Sequence, residues 1–375
     1  MALEVALASS GHSATPRRAS GGSKSDKSVS PARQQLEYTA QETADALDQA
    51  EQGIDVESAE NFSDDDGYQT DSSESDSVSL VSSARNFIYE NGRRYHGYKR
   101  GENDYSFPND DREQDREDLK HAMFLLLFNK TLHFAPLENQ AMKVIDLGTG
   151  TGIWALDFAD QYPLADVLGV DLSPIQSEFV PPNLRYMVDD VEAEWLYPVN
   201  HFDYIHTRHT IQAFRNWPLL YSRALQHLKP GAWMECQELT HYPECDDGSM
   251  APDNPIAQFW GYIIAALSNL GVNLRPRLAD LMRDAGFINV TERIFYTPIG
   301  PWPKNRALQK VGLYWRAVLV EGLEAIALGP MTKGLGWRKE EVEVFLVGVR
   351  KAYLEKGTHT WMPFHVIYGQ KPGYA

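Results

Sequence analysis

The chain has 375 residues, 43% of them hydrophobic, with a formal charge of −17. That allows a large buried core, and the acidic balance opposes broad contact with phosphate backbones, so no direct nucleic-acid binding is expected. Its two cysteines stand outside any CxxC pair, which excludes a disulfide framework and a thiolate zinc site, so no metal is expected.

Residues 1–85 hold 16 acidic and 6 basic residues, a net of −10. They are rich in Ser, Asp, Glu and Gln and poor in large apolar side chains. Such a stretch is predicted to be a disordered acidic tail, because it buries too little surface to offset chain entropy. Its runs Ser63–Asp66 and Ser72–Ser77 suit an acid-directed kinase, although a solvated tail is the simpler reading. No leader pattern opens the chain, and its longest apolar block, Phe124–Phe128, is too short to span a membrane. A cytoplasmic or nuclear protein without a membrane span is expected.

Residues 86–140 are predicted to form an N-terminal helical cap. It opens with the aromatic and basic stretch Asn91–Tyr98. A helix over 112–127 follows, its Leu119, Ala122, Met123, Leu126 and Leu127 forming one apolar stripe. From residue 141 to the C-terminus, strands alternate with helices, as in a parallel sheet with crossover helices. Strands are predicted at 143–147, 167–170, 184–188, 204–207, 233–238, 288–295 and 365–369. Helices are predicted at 153–161, 218–228, 256–270 and 277–285, and a helical insertion at about 304–355. The fold class is α/β: a Rossmann-like, mostly parallel seven-stranded sheet with helices on both faces.

The strongest chemical signal is Val144-Ile145-Asp146-Leu147-Gly148-Thr149-Gly150-Thr151-Gly152, a strand, a glycine-rich turn and a helix start. Glycines permit the tight turn and let a ligand approach bare backbone. Dinucleotide enzymes space these glycines as G-x-G-x-x-G to seat a pyrophosphate. Here the third glycine falls one residue early, and Asp146 would repel a pyrophosphate while helping to hold the ammonium of a methionine moiety. The spacing therefore favours S-adenosylmethionine over a nicotinamide cofactor. Asp171, at the tip of the second strand, is placed to accept both ribose hydroxyls. Asp190, followed by Val191, is placed to read the adenine edge.

Methyl transfer is a displacement at a sulfonium methyl, so the enzyme chiefly aligns the nucleophile and excludes water. A base is required only if the nucleophile must lose a proton. Candidates after the fourth and fifth strands are His206, His209, Glu238 and His241. The fourth strand lacks an Asn-Pro-Pro-Tyr-type motif, which argues against amide or exocyclic base amines. It also lacks an acid pair, which argues against a magnesium-dependent catechol mechanism.

The glycine turn, Asp171, Asp190 and Leu228-Lys229-Pro230-Gly231-Ala232-Trp233-Met234-Glu235 together resemble class I methyltransferases. Asn91–Tyr98, Pro108-Asn109-Asp110 with Arg116 and Asp118, Gly152-Ile153-Trp154-Ala155, and Asp171-Leu172-Ser173-Pro174-Ile175-Gln176 are similar to the LaeA-like methyltransferases of filamentous fungi. The resemblance runs from about Glu90 to Pro372, with Thr149 where that family commonly has Cys. It implies a role in fungal secondary metabolism, either tailoring a small molecule or acting on a protein as a regulator with velvet-type partners. A cofactor-binding scaffold without turnover is the alternative. By the same analogy, Tyr95 and His96 would face the substrate.

Overall fold

The computed structural model describes residues 40–56, 87–98, 105–138 and 141–373, so the two serine-acid runs of the tail lie outside the described residues. Inside the stretch read as disordered, Ala40–Gln52 forms helix α1. Ala46 and Ala50 are buried in the main core, and Arg293 Nε donates to Glu51 at 2.7 Å. The expectation for 1–85 is corrected at these residues. Two alanines a turn apart let a helix lie close to its neighbours while adding little to the hydrophobic composition.

The cap is not wholly helical either. Strands β1 (Ile88–Glu90) and β2 (Arg93–Tyr95) form an antiparallel hairpin. Asn91 and Gly92 fill its two-residue turn at φ 55° and 82°, the positive values that an Asn-Gly hairpin turn requires. Helix α2 (Asp111–Leu127) follows, with the Asp110 carboxylate accepting from the Glu113 amide. Met123 and Leu127 of the expected stripe are buried, but so are Glu113, Arg116, Lys120 and His121. One face of α2 is therefore buried and charged.

The remaining elements are β3 (Lys143–Leu147), α3 (Ile153–Gln161), β4 (Asp166–Asp171), β5 (Leu184–Val188), β6 (Phe202–Arg208), α4 (Trp217–His227), β7 (Leu228–Leu239), α5 (Pro255–Asn269), α6 (Leu278–Asp284), β8 (Ile288–Ile299), α7 (Arg306–Leu335), α8 (Lys339–Leu354) and β9 (Thr360–Gln370). The seven-stranded sheet has the order β5-β4-β3-β6-β7-β9-β8. β3 to β7 pair in parallel, and β9 runs antiparallel to both β7 and β8. The order reverses between β3 and β6, and ligands of such sheets bind beyond the strand C-termini at that switch point.

Two apolar clusters pack on the sheet. The region predicted as an insertion, α7 and α8, belongs to the larger one: Val311, Trp315, Leu319 and Leu323 of α7 are buried there. Among the described residues, no helix is long and apolar enough to cross a membrane.

Candidate functional site

The turn after β3 is pinned to β4 by the Val170 carbonyl, which accepts from the amides of Gly148 (2.8 Å) and Thr149 (2.9 Å). Gly150 sits at φ +59°, and a Cβ added there would meet nothing within 4 Å. Its bare Cα faces the open cleft that a ligand would fill. Gly152 differs: at φ +82°, its added Cβ would lie 2.3 Å from the Tyr186 hydroxyl oxygen. Gly148 and Gly150 line the cleft with Asp146, Asp171, Asp190 and Val191, whereas Gly152 starts α3 behind it.

Asp171 accepts from the Gly150 and Ser173 amides, both at 2.9 Å. Burial pushes its carboxyl up to about 6 despite those bonds. Asp189 and Asp190 both line the cleft. Asp189 accepts from the Asp190 amide at 2.8 Å, and Asp190 accepts from the Glu192 amide at 2.9 Å. These carboxylates, the bare glycine backbone and the apolar Val191 fit the ribose, methionine and adenine parts of S-adenosylmethionine.

Asp146 is nearly enclosed. Thr149 Oγ1 donates to one oxygen at 2.6 Å, and His206 Nδ1 lies 2.7 Å from the other. His206 is fully buried, stacks on Trp154, and is held below its ordinary value by desolvation. A neutral imidazole bonded to a carboxylate in this way carries its proton on Nδ1. Asp146 thus takes Nδ1 and Trp154 fixes the ring, while Nε2 is buried without a hydrogen-bond partner on a ring that lines the cleft, so His206 stays a candidate base.

Glu238 is corrected as a candidate base. Its carboxylate accepts from the amides of Thr210 and Ile211 and from Thr210 Oγ1, between 2.7 and 3.0 Å. Burial raises it to about 7. It fastens the loop after β6 and does not line the cofactor cleft.

His209 keeps its place in the cleft. It adopts φ 56°, an uncommon conformation for a non-glycine residue that clusters at functional sites. Its Nδ1 is buried without a hydrogen-bond partner. Burial, then Lys120, His241 and Arg116, hold it well below its ordinary value, so it is neutral. Tyr95 and His96 are buried but line no cavity beside the cofactor cleft; Tyr105 and Phe107 do so instead.

A second, smaller cavity adjoins the cleft. It shares Tyr105, Glu113, Glu117, His209 and Gln212 with it and adds His241, Trp260 and Trp315. The charged face of α2 forms the partition: Arg116 pairs with Glu113 and with Glu117 (2.8 Å), and Lys120 Nζ lies 2.5 Å from Glu117. The sequence reading missed this face, although Glu113, Arg116, Glu117 and Lys120 recur at helical spacing.

A methyltransferase-domain family matches residues 119–292. The methyltransferase pytC of Aspergillus terreus is 40% identical over 302 residues, covering 80% of this chain and 92% of its own. The secondary metabolism regulator LAE1 of Cochliobolus heterostrophus is 36% identical, covering 77% and 96%. The protein-methionine methyltransferase laeA of Emericella nidulans is 33% identical, covering 76% and 77%. Among solved structures, phosphoethanolamine N-methyltransferase 2 of Haemonchus contortus with S-adenosyl-L-methionine aligns over 67% of this chain and 52% of that one, at 19% identity and a TM-score of 0.40.

Proposed function

The chain belongs to the LaeA-like S-adenosylmethionine-dependent methyltransferases linked to fungal secondary metabolism, and from that premise we propose that it methylates a small molecule admitted to the aromatic cavity beside the cofactor cleft. The observation that carries this reading is the shared wall. Both cavities meet at His209 on one side and at Tyr105, Glu113 and Glu117 on the other.

Bound S-adenosylmethionine supplies an electrophilic sulfonium methyl. The residues of this chain do the rest. Gly148 and Gly150 let the backbone approach closely. Asp171 takes the ribose hydroxyls, Asp190 and Val191 the adenine edge, and Asp146 the methionine ammonium through its remaining lone pairs. His206 holds Asp146 in place. His209 touches the acceptor, and the packing of α2, α5 and α7 around Trp260 and Trp315 keeps water out.

A protein-directed reading has one observation in its favour, the likeness to a secondary metabolism regulator and to a protein-methionine methyltransferase. Velvet-type partners, a nuclear or cytoplasmic location and a scaffold role without turnover belong to that reading. The test is label transfer from methyl-tritiated S-adenosylmethionine into an extract of a fungal strain lacking the protein. Organic-soluble label that Asp171→Ala abolishes supports a small acceptor. Acid-precipitable label supports a protein acceptor, and no transfer despite cofactor binding supports the scaffold.

A further inference from the structure

A further cavity, of about 300 Å³, lies at the β8 edge of the sheet, where the end of β8, the start of β9, α7 and the last turn of α8 meet. That volume is in the range of sites that enclose small molecules, about 300–1,000 Å³. The cavity shares no lining residue with the cofactor cleft or with the smaller cavity beside it. Ile256, Ile299, Trp302, Ala352 and Tyr353 give it buried apolar walls. These walls are preformed. The Gly300 amide donates to the Gly312 carbonyl at 2.9 Å, and a Cβ on Gly312 would lie 1.9 Å from the Gly300 oxygen, so α7 packs directly on this loop. Trp302 Nε1 donates to the Thr360 carbonyl at 3.0 Å, and Tyr353 Oη accepts from Trp260 Nε1 at 2.9 Å. Both rings are thereby fixed, and they offer a ligand mainly apolar surface.

One charge stands against those walls. Arg316 of α7 lines the cavity half-buried and forms no hydrogen bond, ion pair or ring contact with any described residue. Its helical neighbours three and four residues away are Gly312, Leu313, Leu319 and Val320, so α7 supplies no acid to pair with it. The other charged side chains of the lining have partners. His359 Nδ1 lies 2.5 Å from Asp247, Glu355 lies 4.0 Å from Lys351, and Lys356 is engaged as well. A guanidinium presents a fork of donors that matches a carboxylate. A half-buried one pairs with it without the full cost of drying both charges.

We infer that this cavity is a second ligand site, for a small monocarboxylic acid with an apolar body, such as a medium-chain fatty acid. The carboxylate pairs with Arg316, and the apolar body lies against Ile256, Ile299, Trp302 and Tyr353. Neither the cofactor nor the proposed acceptor site enters the inference. The two parts of the ligand make separate demands. The walls reward length: each added CH2 group that is buried raises affinity about fourfold until the cavity is full. Arg316 rewards charge, and only of negative sign. The site is separate from the cofactor cleft but close to the proposed acceptor cavity, because Tyr353 is bonded to Trp260, which lines that cavity.

The test is calorimetry on the full chain saturated with S-adenosylhomocysteine, which keeps probes out of the cofactor cleft. The probes are octanoate, octan-1-ol and octylamine, equal in chain and different in charge. The expected result is one octanoate per chain, bound roughly tenfold or more tightly than octan-1-ol, with octylamine weakest. Hexanoate should bind roughly tenfold more weakly than octanoate. Arg316→Met should bring octanoate down to the level of octan-1-ol and leave octan-1-ol unchanged. Ala352→Leu, which narrows the cavity, should weaken both. If Ala352→Leu does not fold, Arg316→Met decides alone. Octan-1-ol or octylamine binding as tightly as octanoate, octanoate affinity unmoved by Arg316→Met, or binding of no probe overturns the inference. Octanoate that binds only without S-adenosylhomocysteine belongs to the cofactor cleft and overturns it too.

Discussion

The imidazole of His206 lies flat on the indole of Trp154, with centroids 3.5 Å apart and planes 8° from parallel. The stack fixes the ring so that Nδ1 meets Asp146 at 2.7 Å. The other ring nitrogen, Nε2, is left without a hydrogen-bond partner in the cleft lining.

His206→Phe keeps the ring stack and removes the bond to Asp146. A buried charged acceptor then loses a partner, which lowers stability by about 1–3 kcal/mol. Cofactor affinity should fall by roughly tenfold, the equivalent of 1.4 kcal/mol. If the unmatched Nε2 carries a proton in turnover, one limb of the pH–turnover profile should disappear as well. An unchanged profile would make His206 a positioning residue only.

Gly150 and Gly152 look equivalent in the motif but should fail differently. Gly150→Ala meets no atom and suffers only left-handed backbone strain, about 1–2 kcal/mol. It should fold, and lose cofactor binding because the methyl fills the cleft. Gly152→Ala drives a Cβ into Tyr186 and should lose on the order of 4 kcal/mol or more. Denaturation midpoints and calorimetry separate the two, and equal stability losses would disprove the distinction.

Asp171 predicts a pH dependence with a definite sign. Its carboxyl titrates at about 6 in the folded chain, raised mainly by burial. Only the ionised form accepts both ribose hydroxyls, so cofactor affinity should be full above that value and decline as pH falls through it. For folding the same shift has the opposite sign: a raised acid contributes stability as it protonates, and loses it as pH rises. Asp171→Asn should bind roughly 10- to 100-fold more weakly, with this limb absent. A variant affinity that still falls through about 6 would assign the limb to another group.

Helix α1 can be undocked without touching the cleft. Ala50 is fully buried, and Ala50→Arg would place an unpaired charge there, at a cost of about 3–5 kcal/mol if the helix stayed in place. Detachment caps the loss at the docking energy of α1. The expected outcome is a lower melting temperature, faster proteolysis near residues 40–56 and unchanged cofactor affinity. An affinity change would show that α1 supports the site.

Much of the candidate cofactor cleft was legible in the sequence because its signals are local. A glycine turn between a strand and a helix, with acids at the next two strand ends, needs only a few residues each to be recognised. The strand and helix alternation likewise specified the sheet. The Asn91-Gly92 hairpin was equally local and was overlooked. By contrast, α1 carries its information in two alanines whose neighbours are β8 and α7, so nothing nearby in the chain announces it.

The sequence by itself determined the Rossmann-like sheet, the glycine turn and the carboxylates at the tips of β4 and β5, because backbone geometry and strand ends depend on short-range order. Only the tertiary structure decided which polar groups remain available. Glu238 is closed off by the amides of Thr210 and Ile211, and His206 gives its Nδ1 to Asp146 and keeps an unmatched Nε2. His209 is left with an unmatched nitrogen. Hydrogen-bond satisfaction depends on partners that folding brings from distant strands, and no local pattern encodes which lone pairs and protons those partners will consume.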